Sequence, residues 1–417
     1  MPTAKFVSPR RHIALAIVLA TFTTASHALT YDEALRLAET RATQLQAREN
    51  TVAAAQSARV SAGALPDPKL LVGLIDLPVS GSDALSLSRS DFTERKIGVV
   101  QEITNNDKRE AARQLAQANI ARADAELQIE RLAVRRETAL AWLQVYFVQQ
   151  RRALLDELDA ENLLFAASAN ARLTAGQGKA ADALLPHQEA AALADRRDDL
   201  ARDLAKAQAA LSRWVGSAAS EPLSGEPPPL TLPEAHLRHA LERHPDLIVF
   251  NSMEDAAHAD VAMARAAKKS DWSVELAYER RDPAFSDLVS VQFTFDLPIF
   301  SKTRQDPLIA ARQQEMERIA AERETMLRQH TEELESMLAE RAALERQIER
   351  VDGEWLTLAR QKLDLATADY RAGQGPLMSV LDARKYLIDT RMKRIDLAAR
   401  RAEVDVGVRY LTTENQP

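Results

Sequence analysis

Ala175-Gly176-Gln177-Gly178 returns 197 residues later as Ala372-Gly373-Gln374-Gly375. Leu184, Arg197, Asp199 and Leu200 return at the same offset as Leu381, Arg394, Asp396 and Leu397. Upstream, Leu29-Thr30-x-x-Glu33-Ala34 recurs as Leu230-Thr231-x-x-Glu234-Ala235. A tandem duplication of about 200 residues predicts a pseudo-symmetric architecture made of two copies of one unit. It argues against a globular enzyme built around a single cleft.

The units span 29–216 and 233–417, joined by a linker at 217–232 whose prolines, among them Pro222, Pro227, Pro228 and Pro229, disfavour helix. Each unit reads in the same order: short helices, two strands, one very long helix, a glycine turn and a returning helix. Thr30 with Glu33, and Thr231 with Glu234, read as capping boxes in which the threonine oxygen accepts from an orphan backbone N–H.

Strands are clearest in the second unit. Trp272, Val274, Leu276 and Tyr278 alternate with Ser273, Glu275, Ala277 and Glu279; Val289, Val291, Phe293, Phe295 and Leu297 alternate with small or polar residues. Period two with one wholly apolar face is the strand pattern. It predicts strands at 272–280 and 288–297. Their counterparts, 69–76 and 95–103, alternate more weakly.

The long helices are expected from Asp107 to about 173 and from Asp306-Pro307 to about 371, the latter pair suited to N-cap and first helical position. Some 66 residues at 1.5 Å each make ~100 Å, beyond any globular core helix. Ile120, Leu127, Val134, Ala141, Val148 and Leu155 form one heptad column. Ala118, Ala125, Leu132, Ala139, Tyr146, Ala153 and Ala160 form a second, about 200° away. In the second unit Leu334, Met337, Leu344, Ile348, Val351, Trp355 and Leu358 follow three- and four-residue steps. Sustained heptads impose left-handed supercoiling, and two columns give each helix neighbours on both flanks, as in a cylinder wall.

Residues 1–28 read as a secretory signal: Lys5, Arg10 and Arg11, then apolar Ile13 to Phe22, then small Ser26 and Ala28 before Leu29. Its removal takes three cations and no acid, moving the formal charge from −7 to −10 and arguing against a nucleic-acid partner. The chain has no cysteine, which excludes disulfides, a thiol nucleophile, thiolate metal sites and N-terminal lipidation. His-Glu-x-x-His and phosphate-loop patterns are missing too, so no enzyme is expected. No stretch is apolar enough for a transmembrane helix, so any membrane contact must come through strands. Four amphipathic strands cannot close a membrane barrel, for which eight is the usual minimum, so the chain is expected to oligomerise.

These features, with Tyr370, Gly373 and Val380-Leu381-Asp382-Ala383, and with Phe295-Asp296-Leu297-Pro298-Ile299-Phe300 before the second long helix, resemble the TolC family of outer-membrane efflux proteins. Gly63-Ala64-Leu65-Pro66-Asp67-Pro68 and Gly98-Val99-Val100-Gln101-Glu102 look most like its heavy-metal, CzcC/CusC-like branch. The resemblance implies a mainly α fold with a β-barrel part. Three chains would make a 12-stranded outer-membrane barrel continued by a 12-helix periplasmic α-barrel. It also implies a periplasmic adaptor and an inner-membrane resistance-nodulation-division pump as partners, with lipid around the barrel. The function it implies is an exit duct for heavy-metal cations. A multidrug or protein export duct of the same fold, and a poreless periplasmic coiled-coil scaffold, are the alternatives.

By the same resemblance Gly176, Gly178, Gly373 and Gly375 face the adaptor. Asp182 and Tyr370 match a gate-tying pair, and Asp382 matches a carboxylate ring in the lumen. Ser379 stands where a second ring aspartate often sits, and Gly375 where an arginine can reinforce closure. No cofactor is implied. His236, His239 and His244 lie close in sequence, but their spacing puts only the first two on one helix face, so no metal site is expected.

Overall fold

The computed structural model describes residues 28–176, 179–230 and 234–412. The first unit runs α1 (Tyr31–Arg41), α2 (Thr43–Ser61), β1 (Lys69–Ile75), β2 (Glu94–Ile103), α3 (Asn106–Thr174) and α4 (Ala180–Val215). The second runs α5 (Glu234–Leu241), α6 (Pro245–Ala266), β3 (Trp272–Arg280), β4 (Leu288–Phe295), α7 (Gln305–Arg350), α8 (Leu356–Arg371) and α9 (Leu377–Leu411). Between them lie a short 3₁₀ turn at Gly216–Ser220 and an extended stretch. The signal segment, apart from Ala28, and the second capping threonine, Thr231, lie outside the described residues.

All four strands join one antiparallel sheet in the order β1-β2-β3-β4, so the two hairpins pair with each other through β2 and β3. The register puts Leu70 opposite Val99, Val99 opposite Leu276, and Leu276 opposite Val291. Directly opposed residues share a face, so the apolar set of all four strands forms one continuous surface. Trp272 stacks on Phe295 at its margin, ring centroids 6.3 Å apart.

Each strand continues into a helix, and the helices keep the order of the strands. Next to the sheet, α2 packs on α3, α3 on α6, and α6 on α7. Farther away α4, α3, α9 and α8 take over as neighbours in that order. The chain is therefore a curved wall four elements wide along its whole length. At 1.5 Å per residue the 69 residues of α3 extend ~100 Å. Val134, Ala141, Val148 and Leu155 of the first column and Ala118, Ala125, Leu132 and Ala139 of the second are buried, whereas Ala153 and Ala160 are exposed.

The largest core lies midway along the wall, where fully buried Trp142 packs edge-on against Tyr31 (5.5 Å) and stacks on Tyr146 (5.3 Å). Its indole N–H donates to the Leu29 carbonyl at 3.3 Å, and Leu29 bridges in parallel to Leu223, so the start of the first unit and the linker are pinned to α3. Thr30 caps α1, its hydroxyl accepting from the Glu33 amide at 3.2 Å.

The two long helices start differently. Asn105 caps α3, its side chain accepting from the Lys108 amide at 3.0 Å. No side chain caps α7, which starts after Arg304. Asp107 and Asp306 stand instead in the first turns, where a carboxylate suits the helix dipole, and pair with the adjacent lysines Lys269 and Lys268 of the α6–β3 connection. Asp and Asn are near-equal capping residues. The choice is made by Asp271, whose carboxylate accepts from both the backbone and side chain of Asn105 (2.8 and 2.9 Å) and holds it at the cap.

The second long helix is also not continuous: a π-helical turn at Val351–Trp355 separates α7 from α8.

Candidate functional site

Opposite the apolar face of the sheet lies a polar one. Lys96 of β2 reaches the carboxylates of Glu275 (2.5 Å) and Glu279 (3.4 Å) on β3, and Ser290 of β4 donates to Glu279 at 2.8 Å. Gly98 makes room for this face: a Cβ there would sit 2.8 Å from that of Ala277. The first-unit strand alternates weakly and carries Glu94, Arg95 and Lys96 in a row, so sequence alone does not single out the lysine as the partner of the glutamates.

The two glycine turns end the hairpins α3–α4 and α8–α9 at the end of the wall farthest from the sheet. Both turn on a left-handed glycine. After α8 the Gly373 amide donates to Tyr370 O (3.1 Å) and the Gln374 amide to Asp369 O (2.9 Å), and Gly373 has φ +74°. After α3 the Gly176 amide donates to Leu173 O (3.0 Å), with φ +70°. The two bonds after α8 make the Schellman arrangement, in which the left-handed residue satisfies the last helical carbonyls; after α3 the second donor, Gln177, lies outside the described residues. Nothing stands within 4 Å of where a Cβ would be at either glycine, so both turns are open from outside. Gly375 is tighter, its Cβ position 3.1 Å from that of Asp369. Gly178 lies outside the described residues.

Tyr370 faces Arg172, the last basic residue of α3. The guanidinium sits 4.3 Å from the ring centroid and donates to the Tyr370 carbonyl at 3.4 Å. The pair ties one hairpin tip to the other over a cavity of about 230 Å³ lined by Phe165, Arg172, Tyr370 and Leu377. Nearby, buried Arg384 of α9 donates to the Leu158 carbonyl (2.7 Å) and pairs with Glu161 (3.2 Å), holding α9 to α3. Asp382 is exposed on α9. Asp182 lies in the first turn of α4, and its side chain is outside the described residues. Neither Arg172 nor Arg384 stands out in the sequence, because both sit on arginine-rich helices. The one available signal is a break in the repeat: Arg172 occupies the position that Asp369 holds in the second unit.

The three sequence-neighbouring histidines are separated. His236 and His239 lie on α5, while His244 is the N-cap of α6 and faces His330 of α7.

Residues 236–412 match the family model described as outer membrane efflux protein. Among solved structures, the fold is similar to a membrane protein from Pseudomonas aeruginosa (18% identity, TM-score 0.77, 92% of this chain and 93% of that one). It is similar to CusC, whose structures concern folding and transmembrane channel formation (17%, 0.76, 92% and 91%). It is also similar to the outer membrane protein VceC from Vibrio cholerae (19%, 0.74, 92% and 95%). No curated protein matches the chain in sequence.

Proposed function

We propose that this chain, whose residues 236–412 match the outer membrane efflux protein family model, is an outer-membrane transport channel and that three copies close into a duct. This duct is the exit of a tripartite resistance-nodulation-division system and carries heavy-metal cations. The observation that carries the assembly is the open sheet. Its outer face exposes Leu70, Val72, Val289, Val291 and Phe293, and its edge strands β1 and β4 have no partner beyond them. Neither condition is tolerable alone: unpaired strand edges are excluded from hydrocarbon, and a one-faced apolar sheet needs lipid or protein against it. Repetition around an axis removes both edges, and the four-helix wall below closes with them. Exposed apolar residues continue down the wall as Leu163, Leu164, Leu358 and Leu365, where a neighbouring copy would cover them.

In the closed assembly Lys96, Glu275 and Glu279 would line the barrel lumen. The open Gly176 and Gly373 turns, with Gly178 and Gly375 beside them, would receive the adaptor. Asp382 would form a ring of carboxylates near the entrance, attractive to cations, and Asp182 and Tyr370 would contribute to closure. The metal assignment rests on the resemblance of the 63–68 and 98–102 segments to the heavy-metal branch.

Single-channel recording from the purified oligomer in planar bilayers tests the duct; absence of conductance from membrane-inserted protein would falsify it and favour a poreless scaffold. A deletion strain should lose tolerance to at least one of zinc, cobalt, cadmium, nickel, copper or silver. Unchanged tolerance to all, with increased sensitivity to organic drugs, would move the cargo to the multidrug class.

A further inference from the structure

Where α6 begins, three donor groups from two helices converge. The Nδ1 atom of His244 stands 3.5 Å from Asp246 Oδ2, and Nε2 of His330, on α7, stands 3.4 Å from the same oxygen. All three donor atoms lie within 4.8 Å of one another. Two metal–ligand bonds of about 2.0–2.1 Å at a tetrahedral angle put their ligand atoms ~3.4 Å apart. The two measured separations already have that length. Both histidines are buried, and His330 Nε2 has no hydrogen-bond partner of normal geometry, an unusual state for a buried polar atom.

The outer contacts suit metal ligation as well. A ligating histidine usually offers its second ring nitrogen to a carbonyl or carboxylate, which fixes the ring. Tyr410 of α9 lines the same cavity as His244. His330 Nδ1 points toward Glu333 at 3.8 Å. The donors open onto a cavity of about 310 Å³ between α3, α7 and α9, room for a water as fourth ligand. Asp246, Glu333 and Glu403 line it against the single arginine Arg136, so the charge of its walls favours a cation.

We propose that His244, Asp246 and His330 bind one zinc-class divalent ion per chain, clamping the start of α6 to α7. This goes beyond the duct reading and does not depend on it. Two imidazoles and a carboxylate, without thiolate, suit zinc(II) and cobalt(II) better than soft monovalent ions. On binding, the ion takes the Nδ1 lone pair that now accepts the Asp246 amide at 3.2 Å. The ion is resident: its ligands come from helices packed within one chain.

The test uses the purified full-length oligomer in detergent, stripped with chelator and titrated with cobalt(II), then zinc(II). About one equivalent per chain should bind, with the intense visible bands of tetrahedral cobalt, and zinc should displace it. His330→Gln and Asp246→Asn should each weaken binding at least 30-fold, while a His236→Gln/His239→Gln double variant binds as wild type. Should His330→Gln fail to assemble, X-ray absorption of zinc-loaded wild type decides, because it must show two imidazoles in the shell. No uptake by wild type, equal binding by His330→Gln, loss in the His236/His239 double variant, or a shell without two imidazoles overturns the proposal.

Discussion

Arg172→Ala should open the end of the duct farthest from the sheet. The guanidinium holds Tyr370 by two contacts, a ring contact at 4.3 Å and a long hydrogen bond to its carbonyl at 3.4 Å. Both side chains are only partly buried, so the first is worth ~0.5–1 kcal/mol and the second ~0.5 kcal/mol. One chain then contributes ~1–1.5 kcal/mol to the closed arrangement. If three chains open together the loss is ~3–4.5 kcal/mol, a shift of about 10²–10³ in the closed-to-open ratio at tenfold per 1.4 kcal/mol. Open probability in planar bilayers reads this directly, with circular dichroism and native electrophoresis confirming intact assembly. Tyr370→Phe is the discriminating partner. It keeps the ring and the carbonyl and removes only the hydroxyl, so it should stay closed like wild type. Arg172→Lys keeps the charge without the planar stack and should fall between. An assembled Arg172→Ala channel with unchanged open probability refutes the clamp. Opening by Tyr370→Phe as great as that by Arg172→Ala would shift the tie to the hydroxyl, as a bond to Asp182 requires.

Trp142→Ala empties the central core and removes the N–H that holds Leu29; it should cost ~3–5 kcal/mol and lower the thermal unfolding midpoint sharply. Arg341→Ala strips the carboxylate of Asp405, 8% exposed, of its 2.8 Å partner and leaves it only Arg401 at 3.8 Å, so it should cost about 2 kcal/mol in the same assay. Lys96→Met leaves Glu275 and Glu279 facing each other uncompensated and should lower the temperature at which the detergent-resistant oligomer dissociates; Glu275→Gln in the same chain should restore part of the loss. Arg391 grips Glu157 through two bonds of 2.9 and 2.6 Å and holds its carboxyl below the usual glutamate range. That contribution is present above the ordinary glutamate value of about 4.3 and is lost as pH falls through the depressed folded value. Protection of amides near Glu157, relative to their intrinsic exchange rates, should therefore fall under acid, and less so in Arg391→Gln.

What could be read from the chain followed the range over which each signal acts. Heptad columns and strand alternation are local and repeated many times, so Val134, Ala141, Leu276 and Val291 declared their faces. The duplication supplied the order of elements twice, and the second unit clarified the weaker strands of the first. Signals that depend on one distant partner were lost. Asp107 is as good a cap as Asn105 until Asp271, far along the chain, settles the choice. Lys96 reads as one of three consecutive charged residues until β3 lies beside it. The spacing set His244 apart from the face shared by His236 and His239 and named no partner for it; its partner in space, His330, belongs to a different helix. Arg172 and Arg384 were camouflaged by composition, since arginine on an exposed helix is usually a solvated face.

The units also differ in how their long helices are wound, and a one-residue deletion exposes the consequence. Val351–Trp355 aligns, at the repeat offset of 197, with Leu154–Leu158, where α3 runs on as regular helix with Leu154, Leu155 and Leu158 buried. In the second unit the Leu356 amide bonds to Val351 O, five residues back. A π turn of this kind holds one residue more than an α turn while the flanking helices keep their phase. Gly353, poor in helix propensity by ~1 kcal/mol, sits at its centre. Both carboxylate oxygens of Asp352 accept from Arg394 at 2.8 Å, and Lys393 lies 3.9 Å over the Trp355 ring, so α9 holds the turn in place. Deleting Gly353 should convert the turn to α-helix without rotating α8, leaving the Arg172–Tyr370 contact and the assembly intact. Deleting Asp156, at the equivalent place in α3, has no surplus residue to absorb and must turn everything beyond it by ~100°. That swings Arg172 away from Tyr370 and withdraws Leu158 from the core. The Gly353 deletion should therefore assemble and gate like wild type, and the Asp156 deletion should do neither. Equal damage from both would mean that the π turn is part of the packing and not a tolerated extra residue.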